Sequence, residues 1–151
     1  MLSTTMHEVE VDRREEDGRS IVTAQHDGYL KRFGLIHRRR LALEDTGKQL
    51  IGSDRLVPEG RRLRRPTRDV TLRFHLAPGI EVSPTADGHG ALLRPPSAPM
   101  WQFRCEGGEL AIEESLVVNA AARPLKCLQL VIRSAAGKEG ATINWQFRRS
   151  S

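Results

Sequence analysis

Apolar and polar residues alternate with a period of two along nearly the whole of this chain. That pattern removes most folds from consideration before any other feature is weighed. Successive side chains of a strand point to opposite faces, so alternation lays one face on a core and leaves the other in water. His7-Glu8-Val9-Glu10-Val11-Asp12 alternates, Glu15-Glu16-Asp17-Gly18 supplies a turn, and Ser20-Ile21-Val22-Thr23-Ala24 follows as the hairpin partner. Leu35 to Glu44 and Gln49 to Val57 flank Asp45-Thr46-Gly47-Lys48, a second hairpin. Val70, Leu72, Phe74 and Leu76 share one face of a strand, with Thr71, Arg73 and His75 on the other. Further strands are expected at 80–82, 91–93, 100–105, 109–118, 125–133 and 142–148. Gly or Pro punctuates almost every gap, among them Pro58, Pro78-Gly79, Asp87-Gly88, Pro95-Pro96 and Gly107-Gly108. No window longer than about ten residues keeps a helical period. The chain is therefore predicted to be all-β, an antiparallel β-sandwich of about ten or more short strands.

A length of 151 residues suits one ordinary domain, and 38% apolar residues suffice for a folded core. Residues 1–6 are expected to be disordered and 7–149 to form that single domain. No stretch approaches the roughly 18 apolar residues of a membrane-spanning helix, so no membrane span is expected. Met1 to Met6 runs straight into charged residues with no basic and apolar leader, so no secretory signal is expected.

The formal charge of +5 is unevenly distributed. Met1 to Leu30 carries a net −4, Lys31 to His75 a net +8, and the remainder +1. Two clusters hold the excess: Arg38-Arg39-Arg40, and Arg61-Arg62-Leu63-Arg64-Arg65 with Arg68. Such a segment is either a solvated strand face and loop or a surface for an acidic polymer, which gains from neutralisation and counterion release. Nucleic acid is not the expected partner, because the arginines are not interleaved with aromatics and no RNA- or DNA-binding signature is present.

The catalytic signatures that sequence can display are missing. No Gly-rich phosphate loop precedes a helix, no HExxH occurs, and Gly52-Ser53-Asp54 is not a nucleophile elbow. Cys105 and Cys127 lie in strand-like segments outside any CxxC or Cys/His cluster, which suits buried small hydrophobes better than metal ligands. Neither a metal site nor a cofactor site is expected, and no catalytic residue is assigned. Trp101-Gln102-Phe103-Arg104 recurs as Trp145-Gln146-Phe147-Arg148. The rings belong either to two core strands or to a sugar-stacking platform facing solvent. The densest polar knot is His26-Asp27-Gly28-Tyr29 followed by Phe33-Gly34-Leu35-Ile36-His37-Arg38-Arg39-Arg40. From it His26, Tyr29, His37, Arg38, Arg39 and Arg40 are the candidate substrate-binding residues. On a strand, His37 and Arg39 point one way and Arg38 and Arg40 the other.

That knot, HDGYLKRFGLIHRRRLALED, resembles the corresponding stretch of heparinase II/III-like proteins. The flanking LIGSDRLVPEG, VTLRFHLAPGIEVS and ALLRPPSAPMWQFRCEGGELAIEESLVV fit as well, so the likeness runs from about His7 to Phe147. The resemblance implies a C-terminal β-sandwich that partners a helical toroid in cleaving uronate-containing polysaccharides by β-elimination. It also implies that the family's Ala-His-Asn-Thr-like and Val-Asp-Gly segments lie before this stretch, so the sandwich is incomplete on its N-terminal side. The expected role is to support such a toroid, as a domain or separate chain, or to hold an acidic polysaccharide. The alternative is a free-standing carbohydrate-binding or interaction module. An opened sandwich of this kind places His7 to Arg13 on or near a sheet edge.

Overall fold

The computed structural model of the chain describes residues 9–28, 34–59 and 67–150. Residues 1–6, His7, Tyr29 and the run Arg61 to Arg65 lie outside them.

Eleven strands follow one another: β1 (Val9–Glu16), β2 (Arg19–His26), β3 (Leu35–Glu44), β4 (Gln49–Pro58), β5 (Arg68–His75), β6 (Glu81–Pro84), β7 (Gly90–Arg94), β8 (Trp101–Glu106), β9 (Glu109–Val118), β10 (Pro124–Ala136) and β11 (Ala141–Arg149). They form two antiparallel sheets, one of eight strands in the order β1-β2-β3-β4-β11-β8-β7-β6 and one of three in the order β5-β10-β9. The all-β sandwich read from the alternation is the fold observed. Prolines stand at strand limits, Pro58 and Pro84 closing β4 and β6 and Pro124 opening β10, where a missing amide proton costs little.

Local chemistry sets the first hairpin. Asp17 and Gly18 both have positive φ, 48° and 72°, as the two central residues of a mirror-image turn must. That turn matches the twist of paired strands and fixes the register Glu16↔Arg19 through Val9↔His26.

The core lies where the small sheet covers the middle of the large one. Leu72, Leu130 and Ile132 from β5 and β10 meet Ala91, Leu93, Phe103, Cys105, Ile143 and Trp145 from β7, β8 and β11. Each fully buried side chain such as Phe103 or Ile132 contributes about 1.5–3 kcal/mol by leaving water. Phe74 of β5 stands within 4.8–5.6 Å of the rings of Phe103, Trp145 and Phe147, in tilted and edge-on geometries. The repeated Trp-x-Phe pairs are thus core residues, Phe103 directly opposite Phe147 in the β8–β11 ladder. Phe103 and Trp145 are buried and form no solvent-facing stacking platform. Cys105 and Cys127 are free and buried, one in each sheet.

The central cluster draws nothing from β1, and β2 buries Ile21 outside it. All eight residues of β1 are exposed, and β1 ends the large sheet. The described part of the His7–Arg13 segment is therefore an edge strand, as expected.

Candidate functional site

Directly paired residues of antiparallel strands share a face. The register therefore places Ala24 and His26 of β2, His37 and Arg39 of β3, and Gly52 and Asp54 of β4 on the core-facing side of the large sheet. Trp145 of β11, opposite Gly52, completes that row.

Asp54 is the hub. Its side chain is only 4% exposed, and a bare carboxylate there would be costly. Three donors satisfy it. His37 Nε2 lies 2.7 Å from Oδ1, Arg39 Nε donates to the same oxygen at 2.7 Å, and Trp145 Nε1 donates to Oδ2 at 2.8 Å. Burial pushes the carboxyl up, but the hydrogen bonds from His37, Arg39 and Trp145, together with the Arg39 charge, hold it below its ordinary value. Asp54 is thus an anion in the folded chain.

Gly52 makes the indole's position possible. A Cβ on Gly52 would meet Trp145 ring atoms at 2.1–2.5 Å, so the ring lies flat on the β4 backbone. From there its N–H reaches Asp54, two residues along the same face. The triplet Gly52-Ser53-Asp54 is a seat for tryptophan and an acceptor for its proton.

The network continues outward. His37 Nδ1 lies 3.1 Å from His26 Nε2, the rings edge-on with centroids 5.1 Å apart. The backbone N–H of Gly28 donates to His26 Nδ1 at 3.2 Å. A neutral imidazole has one donor and one acceptor nitrogen, so this last bond assigns the rest. With both rings neutral, His26 Nε2–H donates to His37 Nδ1, and His37 Nε2–H donates to Asp54. All four ring nitrogens are engaged in a single direction.

Beside this network a cavity of about 360 Å³ opens between the two sheets, with His37, Asp54 and Leu35 on one side and Arg68, Asp69 and Val70 of β5 on the other. Among the described residues, no group of three or more His, Cys, Asp or Glu side chains is arranged to hold a metal ion.

The six candidate residues do not converge. His26, His37 and Arg39 share the inner face and the network. Arg38 and Arg40 stand on the opposite, solvent face of β3, paired with Gln25 and Thr23 of β2 and with Arg55 and Ser53 of β4. Tyr29 lies outside the described residues. The other described histidines stand apart, His75 at 3.3 Å from Ser115 and His89 in the turn that holds Asp87. Sequence reasoning missed Asp54 and Trp145. The signal was present in the alternation, because Asp54 falls in the inward phase of β4 between Gly52 and Leu56. A carboxylate in that phase demands buried donors.

The family described as heparinase II/III-like, C-terminal, matches residues 3–146. FtsZ-localized protein C of Caulobacter vibrioides is 33% identical over 152 residues, covering 94% of this chain and 25% of that protein. Among solved structures, heparan sulfate lyase HepC from Pedobacter heparinus superposes with a TM-score of 0.77 at 13% identity, covering 95% of this chain and 22% of the lyase. A heparinase III, the BT4657 gene product, gives 0.75 at 12% identity, with the same coverage. The chain thus spans about a quarter of the length of each of these three proteins.

Proposed function

The chain belongs to the heparinase II/III-like C-terminal family, and from that membership we propose that it holds an acidic, uronate-containing glycan for a helical toroid without cleaving the glycan itself. The observation that carries this reading is the engagement of all four imidazole nitrogens of His26 and His37. β-Elimination needs a base with a free lone pair for the proton beside the uronic carboxyl, and an acid for the leaving oxygen. In this network the free lone pair of each imidazole already accepts a hydrogen bond, and both oxygens of Asp54 are engaged by donors. Arg39 stands beside the inner cleft on the His37–Asp54 side, and Arg68 lines the cleft from β5. Arg39 uses Nε on Asp54, which leaves the terminal nitrogens of its fork for a carboxylate or sulfate.

Binding and cleavage test this separately. Heparan sulfate and alginate should each be retained at low salt and released by added salt. Arg39→Ala should weaken retention, while no unsaturated uronate ends appear. Retention that is unchanged in Arg39→Ala, or new unsaturated ends from this chain alone, would overturn the reading.

A second reading, an interaction module acting at the division apparatus, is favoured by the 33% identity with FtsZ-localized protein C. A fluorescent fusion of this chain that co-localises with FtsZ in Caulobacter vibrioides, and binds neither glycan, would establish it in place of the first.

A further inference from the structure

The solvent face of the large sheet carries a second feature, separate from the inner cleft. Two neighbouring cross-strand rows run over β3, β4 and β11. One is Arg38–Arg55–Thr142, the other Arg40–Ser53–Asn144. Strands lie about 4.8 Å apart and alternate residues about 6.6–7 Å apart along a strand, so these six side chains tile a compact patch. Arg38, Arg40 and Arg55 are all exposed. Among the described residues none of the three is in an ion pair. Arg38 donates only to the neutral Gln25, at 3.0 Å.

Arg38 and Arg55 face each other directly across the ladder. Like charges so placed destabilise a sheet, and other arginines of the chain are paired: Arg39 with Asp54, Arg104 with Asp87, Arg133 with Glu113. The carboxylates of Glu10 and Glu106 bound the patch, Glu10 on Gln25 and Glu106 opposite Asn144, but neither pairs with the three guanidiniums, whose repulsion an external anion relieves. The third strand supplies hydroxyl and amide groups, and Gln146 continues the row of outward side chains on β11 into an open groove of about 530 Å³ beside Arg104. No aromatic ring faces outward in these rows. That disfavours single-stranded nucleic acid, whose bases need stacking platforms.

We infer that this patch, built on Arg38, Arg40 and Arg55 with Ser53, Thr142 and Asn144, is an exosite for an acidic polysaccharide strand on the outer face of the sandwich. The arginine forks take carboxylate or sulfate bidentately, and the amides and hydroxyls take ring hydroxyls. This rests on the glycan reading above and extends it to a face that the inner cleft does not reach.

The test is an amide-shift titration of the whole chain, with salt-dependent affinities, for heparan sulfate (sulfated and carboxylated) and alginate (carboxylated only). Arg40→Gln, Arg55→Gln and the double variant are compared with Arg123→Gln, which lies in the β9–β10 turn. All three positions are exposed, and circular dichroism verifies the fold. Shifts should map to β3, β4 and β11 outward residues, and each patch substitution should lower the salt slope by about one while Arg123→Gln leaves it unchanged. Binding to both glycans assigns the patch to carboxylate; binding to heparan sulfate alone assigns it to sulfate. Glycan binding undiminished in the double variant, with shifts confined to the inner cleft, overturns the exosite and leaves the glycan reading standing. Binding of neither glycan overturns both. Duplex DNA bound as tightly through the same arginines overturns the glycan assignment in favour of a general polyanion surface.

Discussion

At the scale of single residues, the molecule turns on Asp54 and the glycine two positions before it. Replacing Asp54 by Asn keeps the shape but removes the anion and puts an N–H₂ where an acceptor was needed. Asp54→Asn should therefore cost about 1–3 kcal/mol in urea unfolding. The pH dependence follows from the sign of the shift. The folded value lies below the unfolded value of about 3.9. The stabilisation is thus fully present above that unfolded value and is lost as pH falls through the lower folded one. The acid limb of wild-type stability should be steeper than that of Asp54→Asn, and superimposable limbs would contradict this. Gly52→Ala drives a methyl into the Trp145 ring, so a loss of about 1–3 kcal/mol with altered tryptophan fluorescence is expected. An unperturbed variant would mean that the indole does not need its seat. Burial pushes the Cys105 thiol up, so it should resist alkylation until the chain unfolds. Rapid native labelling of Cys105 would contradict its burial.

At the scale of elements, most of the fold was legible and one property of it was not. The hairpins were written in turn chemistry, since Asp17-Gly18 fits a turn that only residues tolerant of positive φ can make. The β3–β4 pair was bounded by Asp45-Thr46-Gly47-Lys48. What alternation does not encode is which sheet a strand joins. The register of β11 between β4 and β8 unites residues 97 positions apart in sequence, such as Gln49 and Gln146. This is why the His26–His37–Asp54–Trp145 network stayed hidden while its histidines were noticed. The same limit explains the split of the candidate arginines, where alternation indicated two faces but not what each face met. The edge strand β1 is the element with a consequence of its own. Val9 and Val11 are 63% and 66% exposed beside an unpaired ladder edge, which Glu10, Asp12 and Arg14 blunt only by charge. The isolated chain should associate with rising concentration in sedimentation velocity, and Val11→Lys should reduce that association. A monomer over a wide concentration range would contradict it.

At the scale of the whole molecule, a three-stranded sheet covers only the middle of an eight-stranded one. One flank carries an internal polar network with its imidazole nitrogens engaged, and the outer face carries arginines without a carboxylate partner. Both features suit a body that grips an acidic chain and leaves bond cleavage to another domain. The family's longer members, of which this chain spans about a quarter, have room for such a domain. The direct measurement is the size distribution and unsaturated-end content of heparan sulfate after long incubation with saturating amounts of this chain, alongside the bound fraction. Bound glycan of unchanged length with no unsaturated ends is the predicted result. Shortened glycan bearing unsaturated uronate ends would contradict the account.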